Sequence, residues 1–246
     1  MRKHRSAAVA LVAFVAAALT AAPRARACGV STADGLSSCS LTEHEEATRP
    51  RWRLGASASY TSTAIDFGGF VSPETRGSVI GSLAYQPTPR WTLQVAAGST
   101  VGGHLDTPAG QYDFSAGPTA AIGASWRAVA GTTPFVILTS NLSFSTSDAK
   151  PTGAGPAAGR YSALDLRLGA LVGTTIARVF SPYAVARVFG GPVYWAFQGE
   201  DVIGSDTHHY QVGAGFSLVA FGPVNVFAEG VPLGERSFAG GTAFAF

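Results

Sequence analysis

SFAGGTAFAF, Ser237 to Phe246, is the stretch on which the fold turns. Successive side chains of an extended chain point to opposite faces. Phe238, Phe244 and Phe246 therefore share one face, with Gly240 and Thr242 in the same row. Soluble domains usually fray into a few polar residues at their ends. A strand that stops on an aromatic ring is expected instead to stand against an apolar medium and to close a barrel.

The chain from Trp52 onward repeats this period of two. Ten segments carry it: 52–63, 78–86, 91–99, 112–126, 134–144, 161–174, 182–190, 209–218, 224–231 and 237–246. The first sets Trp52, Leu54, Ala56, Ala58 and Tyr60 against Arg53, Gly55, Ser57 and Ser59. The fourth sets Tyr112, Phe114, Ala120, Ile122 and Trp126 against Asp113, Ser115, Thr119 and Ser125. The seventh alternates poorly. Arg187 facing lipid near the midplane would cost about 2–4 kcal/mol, so Arg187 is expected inside with Val185 and Phe189, leaving Ala184, Ala186 and Val188 outside.

The connections alternate short and long. Residues 86–90, 128–133, 176–181 and 221–223 are short; about 64–77, 100–111, 145–160 and 191–208 are long; Pro232 to Glu235 is short where the pattern wants a long one. Short inner turns, longer outer loops and an even strand number are features of outer-membrane barrels, whereas a sandwich has no reason to alternate loop length. No stretch after residue 27 approaches 18 apolar residues, which leaves a membrane barrel or a secreted β-sandwich as the two ways to satisfy the backbone. Trp52, Tyr60, Tyr85, Trp91, Tyr112, Trp126, Phe144 and Tyr210 fall near segment ends, where interfacial girdles sit.

With these segments and the closing Phe238, Phe244 and Phe246, residues 52–246 resemble a small Gram-negative outer-membrane β-barrel protein. The resemblance implies an antiparallel up-and-down barrel of about ten strands in the cell outer membrane, against outer-membrane lipids. It also implies that the terminal aromatic is part of the signal recognised by the barrel-assembly machinery.

The N-terminus fits export. Arg2, Lys3 and Arg5 precede an apolar run from Ala7 to Ala22, and Ala25-Arg26-Ala27 supplies small residues at a cleavage site. The domains expected are a signal peptide over 1–27, a periplasmic segment over 28–50 and a barrel over 51–246. Cys28 and Cys39 lie in that segment and are expected to form a disulfide, worth about 2–3 kcal/mol for so short a loop in the chain-entropy model. Thr42-Glu43-His44-Glu45 has the form of a capping box. Removal of residues 1–27 takes five of the 17 basic residues and none of the 15 acidic ones, so the mature chain has no basic surplus to suggest nucleic acid.

The charges expected in the lumen are Arg53, Asp113, Asp165, Arg167, Arg187 and Glu229, with Arg90, Gln94, Arg127 and Asn141 on the same inward faces. Such groups either pair across the interior and stiffen it or select solutes in a narrow polar pore. No GxSxG, HExxH, Walker or dinucleotide motif is present, and no enzyme, metal or cofactor is expected. The sharpest rival is a loop-borne site in which His104 and Asp106, or Asp201, Asp206 and His208, activate water.

Overall fold

The computed structural model describes residues 30–31, 37–38, 51–129, 134–153, 158–197 and 199–246. The expected signal peptide, the Cys28–Cys39 disulfide and the Thr42 capping box lie outside them. Every regular element among the described residues is a strand. A two-residue ladder, β1 (Val30–Ser31) with β2 (Ser37–Ser38), precedes the barrel. There follow β3 (Trp52–Asp66), β4 (Val71–Thr88), β5 (Trp91–Thr107), β6 (Gly110–Phe114), β7 (Gly117–Val129), β8 (Phe135–Pro151) and β9 (Ala158–Gly173). The remainder is β10 (Phe180–Gly190), β11 (Val193–Phe197), β12 (Glu200–Asp206), β13 (Tyr210–Phe221), β14 (Val224–Gly234) and β15 (Arg236–Ala245).

Ten of these strands close a ring. Each pairs antiparallel with the next in the order β3, β4, β5, β7, β8, β9, β10, β13, β14, β15, and β15 returns to β3 from Arg236↔Ser62 to Ala245↔Arg53. The final strand therefore closes the barrel. Closure leaves no edge with unpaired backbone groups, which is the condition for crossing lipid with strands.

The long connections are mostly not loops. β3 and β4 run on past the ring and turn only between Phe67 and Phe70, where Phe67 N donates to Phe70 O. β5 runs to Thr107, β8 to Pro151, and residues 193–206 form the hairpin β11–β12. These extensions build a second, narrower ring: β3, β4, β5, β6, β8, β9, β11 and β12. It shuts through Ser205↔Asp66 and Asp206↔Ile65. The barrel thus steps from ten strands to eight. The hairpin β14–β15 ends below the step, so the connection at Pro232–Glu235 is short because the eight-stranded neck passes over it. By the rule that tight turns face the periplasm, the neck faces outward.

Glycine rows let large inward side chains lie flat on the wall. Gly215 is the cross-strand partner of Tyr183, and a Cβ there would stand 2.6 Å from the Tyr183 hydroxyl. Gly169 faces Arg187 in the same way, with a Cβ 2.9 Å from Arg187 Cγ. Close approach of a neighbour is the usual reason for glycine inside a strand.

Candidate functional site

The lumen is a polar chamber beneath an apolar seal. The seal fills the neck. Ile65, Phe67, Leu105, Tyr112, Phe114, Tyr161, Val193 and Trp195 are all buried there in one cluster. Trp195 stacks on Phe197 with centroids 4.3 Å apart and meets the edge of Tyr112 at 5.1 Å and Phe67 at 5.7 Å. A second apolar cluster, Phe135, Ile137, Leu171, Tyr183 and Val185, lies on β8, β9 and β10 next to the periplasmic turns, while Arg53, Gln94 and Arg127 are buried at the same end of the lumen.

Charged residues fill the lumen, and they pair. The Arg187 guanidinium lies 2.8 Å from Glu229 Oε1, and its Nη2 donates to Oε2 at 3.1 Å. Tyr183 donates its hydroxyl to the same carboxylate at 3.1 Å. Both ions are almost fully buried, at 3% and 1% exposure. Arg167 holds Asp165 at 2.5 Å and both Glu235 oxygens at 3.0 and 3.2 Å. Gln211 donates to Glu235 at 2.7 Å. Higher up, Arg76 pairs with Glu74 and donates to Ser145 at 2.8 Å, while the Tyr161 hydroxyl donates to Glu74. The Arg76 guanidinium lies 5.1 Å from the Tyr161 ring and 5.6 Å from that of Phe114, joining the charges to the aromatic seal.

Two cavities with shared lining residues lie among these charges. One of about 170 Å³ is lined by Arg76, Arg167, Arg187, Asn141 and Gln211 among hydroxyls and small side chains. The other, about 100 Å³, lies toward the neck and is lined by Glu74, Asp165, Asp206 and Glu235 as well as Arg76 and Arg167. Asp206 belongs to the neck, above the lipid-facing wall. Burial, and then the Glu235 carboxylate, push its carboxyl up to about 7, against the stabilising hydrogen bond from Thr63 at 2.9 Å.

Of the expected lumen charges, Arg53, Asp165, Arg167, Arg187 and Glu229 do face inward. Asp113 does not: it is exposed on the outer face of the neck, opposite Lys150 and His104. The reason is a phase break at Ser115–Ala116, between β6 and β7. Before it, Tyr112 and Phe114 point inward at 0% and 5% exposure; after it, Ile122 points outward at 59%. Tyr112 is therefore a plug residue and not part of a girdle. Arg90 is exposed in a periplasmic turn. Of the two rival Asp/His groupings, the one at His104 and Asp106 comes within ion-pair distance. His104 and Asp106 sit 3.9 Å apart on the outer face of β5, and Asp206 faces the lumen while His208 and His209 are exposed. Glu74, Arg76 and Glu235 are charged chamber residues that the sequence does not single out, and Asp206, a candidate there for a loop-borne site, joins them.

The outer wall is apolar. Leu54, Val95, Ile122, Leu138, Leu142, Leu166, Leu168 and Val188 stand 40–59% exposed around the ring. Aromatics border this band: Trp52 against Tyr85 (4.6 Å) and Trp91 against Trp126 (6.4 Å) on the periplasmic side, with Tyr60, Phe144, Tyr210 and Phe238 toward the neck. A continuous apolar belt on a closed ring, with girdles at both margins, is suited only to lipid. The fold is that of an outer-membrane β-barrel.

No family model matches the chain, and no curated protein matches it. Solved structures similar to it include the translocator domain of the autotransporter NalP from Neisseria meningitidis, at 13% identity and a TM-score of 0.49, over 80% of this chain and 88% of that one. The outer-membrane protease OmpT from Escherichia coli is 10% identical with a TM-score of 0.48, over 81% and 98%. An outer-membrane channel from Pseudomonas putida F1 is 13% identical with a TM-score of 0.44, over 84% and 99%. At such identities and TM-scores none of these likenesses bears on activity.

Proposed function

We propose that this barrel is a gated passage for small polar solutes, shut in the described state. The observation that carries the reading is the aromatic seal around Trp195 standing directly above a charged chamber. A purely structural barrel of this width needs no cavity, since side chains fill barrels only slightly smaller. A constitutive pore needs no seal. An apolar constriction above a polar lumen is a common way to gate a channel, because ions do not cross a dry neck.

In planar bilayers the wild-type protein is expected to be silent, and Trp195→Ala to open a small conductance. Truncating so large a buried ring also costs about 3–5 kcal/mol, so Tyr112→Ala provides a second opening of the same seal. A steady conductance in the wild type would refute the seal. Silence in both variants, with the barrel folded, would leave a structural role as the better reading.

A further inference from the structure

The charges that line the two cavities are sorted along the barrel axis; Glu229, paired with Arg187, lines neither. Toward the neck, four carboxylates line the smaller cavity: Glu74, Asp165, Asp206 and Glu235. The larger cavity beneath has three guanidiniums, Arg76, Arg167 and Arg187, and no carboxylate in its lining. Arg76 and Arg167 line both and mark the boundary. Carboxylates only accept hydrogen bonds and guanidiniums only donate them. The two compartments therefore favour opposite ends of a ligand: a donor cation toward the neck, an acceptor anion toward the periplasm.

We propose that the chamber binds a small zwitterion, with its ammonium group among Glu74, Asp165, Asp206 and Glu235 and its carboxylate against Arg167 and Arg187. This rests on the gated-passage reading and names the class of solute. A molecule of no net charge enters without adding to the chamber's own imbalance, and a buried charge is tolerable only where a partner meets it. A monovalent anion would meet guanidiniums below but bring no cation to the carboxylates above, where Arg76 holds Glu74, Arg167 holds Asp165 and Glu235, and Asp206 meets the Thr63 hydroxyl. A monovalent cation would have the reverse fault. The cavities, about 170 and 100 Å³, have room for a head group each and not for a bulky side chain.

Asp206 supplies an independent readout. The groups facing it are Thr63 from β3, Glu74 and Arg76 from β4, Tyr161, Asp165 and Arg167 from β9, and Glu235 from the β14–β15 turn. An ammonium group placed there stabilises its charged form, so binding releases a proton and tightens as the pH rises through about 7.

The test uses the purified full-length barrel in detergent and isothermal titration with 4-aminobutyrate, against butyrate and butylammonium as single-charge controls. The wild type and the Trp195→Ala variant are titrated side by side, so that slow entry past the seal is not mistaken for absence of a site. The zwitterion is expected to bind and the two controls to bind at least tenfold more weakly. Asp206→Asn, which keeps the shape of the side chain, is expected to weaken the zwitterion about tenfold and to remove the proton release. Equal binding of butyrate, an unchanged affinity in Asp206→Asn, or no binding to either protein would overturn the assignment. None of these outcomes bears on the seal, which the conductance of Trp195→Ala decides separately.

Discussion

Arg187→Ala is expected to destabilise the folded barrel by about 3–5 kcal/mol, because it strands the Glu229 carboxylate without its ion pair inside the wall. The loss is that of a broken buried pair, not of a surface salt bridge, which is worth about 0–1 kcal/mol. The geometry here is bidentate, with both Arg187 terminal nitrogens at the two Glu229 oxygens. The companion experiment is the double variant Arg187→Leu with Glu229→Leu. Removing both charges removes the desolvation cost together with the attraction, so most of the stability should return. Urea unfolding in lipid vesicles, followed by tryptophan fluorescence, gives both values. A double variant no more stable than Arg187→Ala would mean that this pair contributes more than charge balance.

Ile122→Arg is expected to cost about 2–4 kcal/mol, since Ile122 lies in mid-band on the outer wall, between Val95 and Leu142 of the neighbouring strands. Ile122→Leu should leave stability within about 1.5 kcal/mol, as volume-conserving apolar exchanges do. The contrast separates lipid from water. On a surface facing water, an arginine in place of a 59% exposed isoleucine would be harmless or favourable. The same unfolding titration reads the effect, and unchanged stability in Ile122→Arg would remove the lipid-facing assignment of this wall.

The ten-stranded ring was legible because its signal is local. Period-two alternation from Trp52 to Phe246 places nearly every outward residue, and the inward turn of Arg187 followed from the cost of a charge in lipid. The neck was illegible for the opposite reason. Its closure rests on Ser205↔Asp66 and Asp206↔Ile65, pairs far apart in sequence with no local mark. The step in strand number also depends on where β14–β15 stops relative to β12, which no periodicity encodes. Some of what was missed had a signal all the same. Ser72, Glu74 and Arg76 continue the inward parity of Ser78, Ser82 and Gln86, whereas Glu235 lies beyond a phase break, since Leu233 between it and Val231 is 58% exposed. Ser72, Glu74 and Arg76 escape notice because the long connection 64–77 reads as a loop, and Glu235 because it falls in a short turn. Asp113 failed through the break at Ser115–Ala116, where two residues without ladder partners reset the faces of the strand.

The barrel narrows from ten strands to eight above its charged chamber, and the seam between β12 and β3 is what shuts the narrower ring. Asp66 and Ser205 are paired across that seam and both are exposed. Cysteines introduced at these two positions, with Cys28 and Cys39 replaced by serine, should cross-link in the folded protein within outer membranes. The linked chain would migrate faster than the reduced chain on a denaturing gel after boiling. Full cross-linking under mild oxidation is the expected result. Two cysteines that stay reduced in a folded, membrane-inserted barrel would contradict it, since β12 would then not close the neck onto β3.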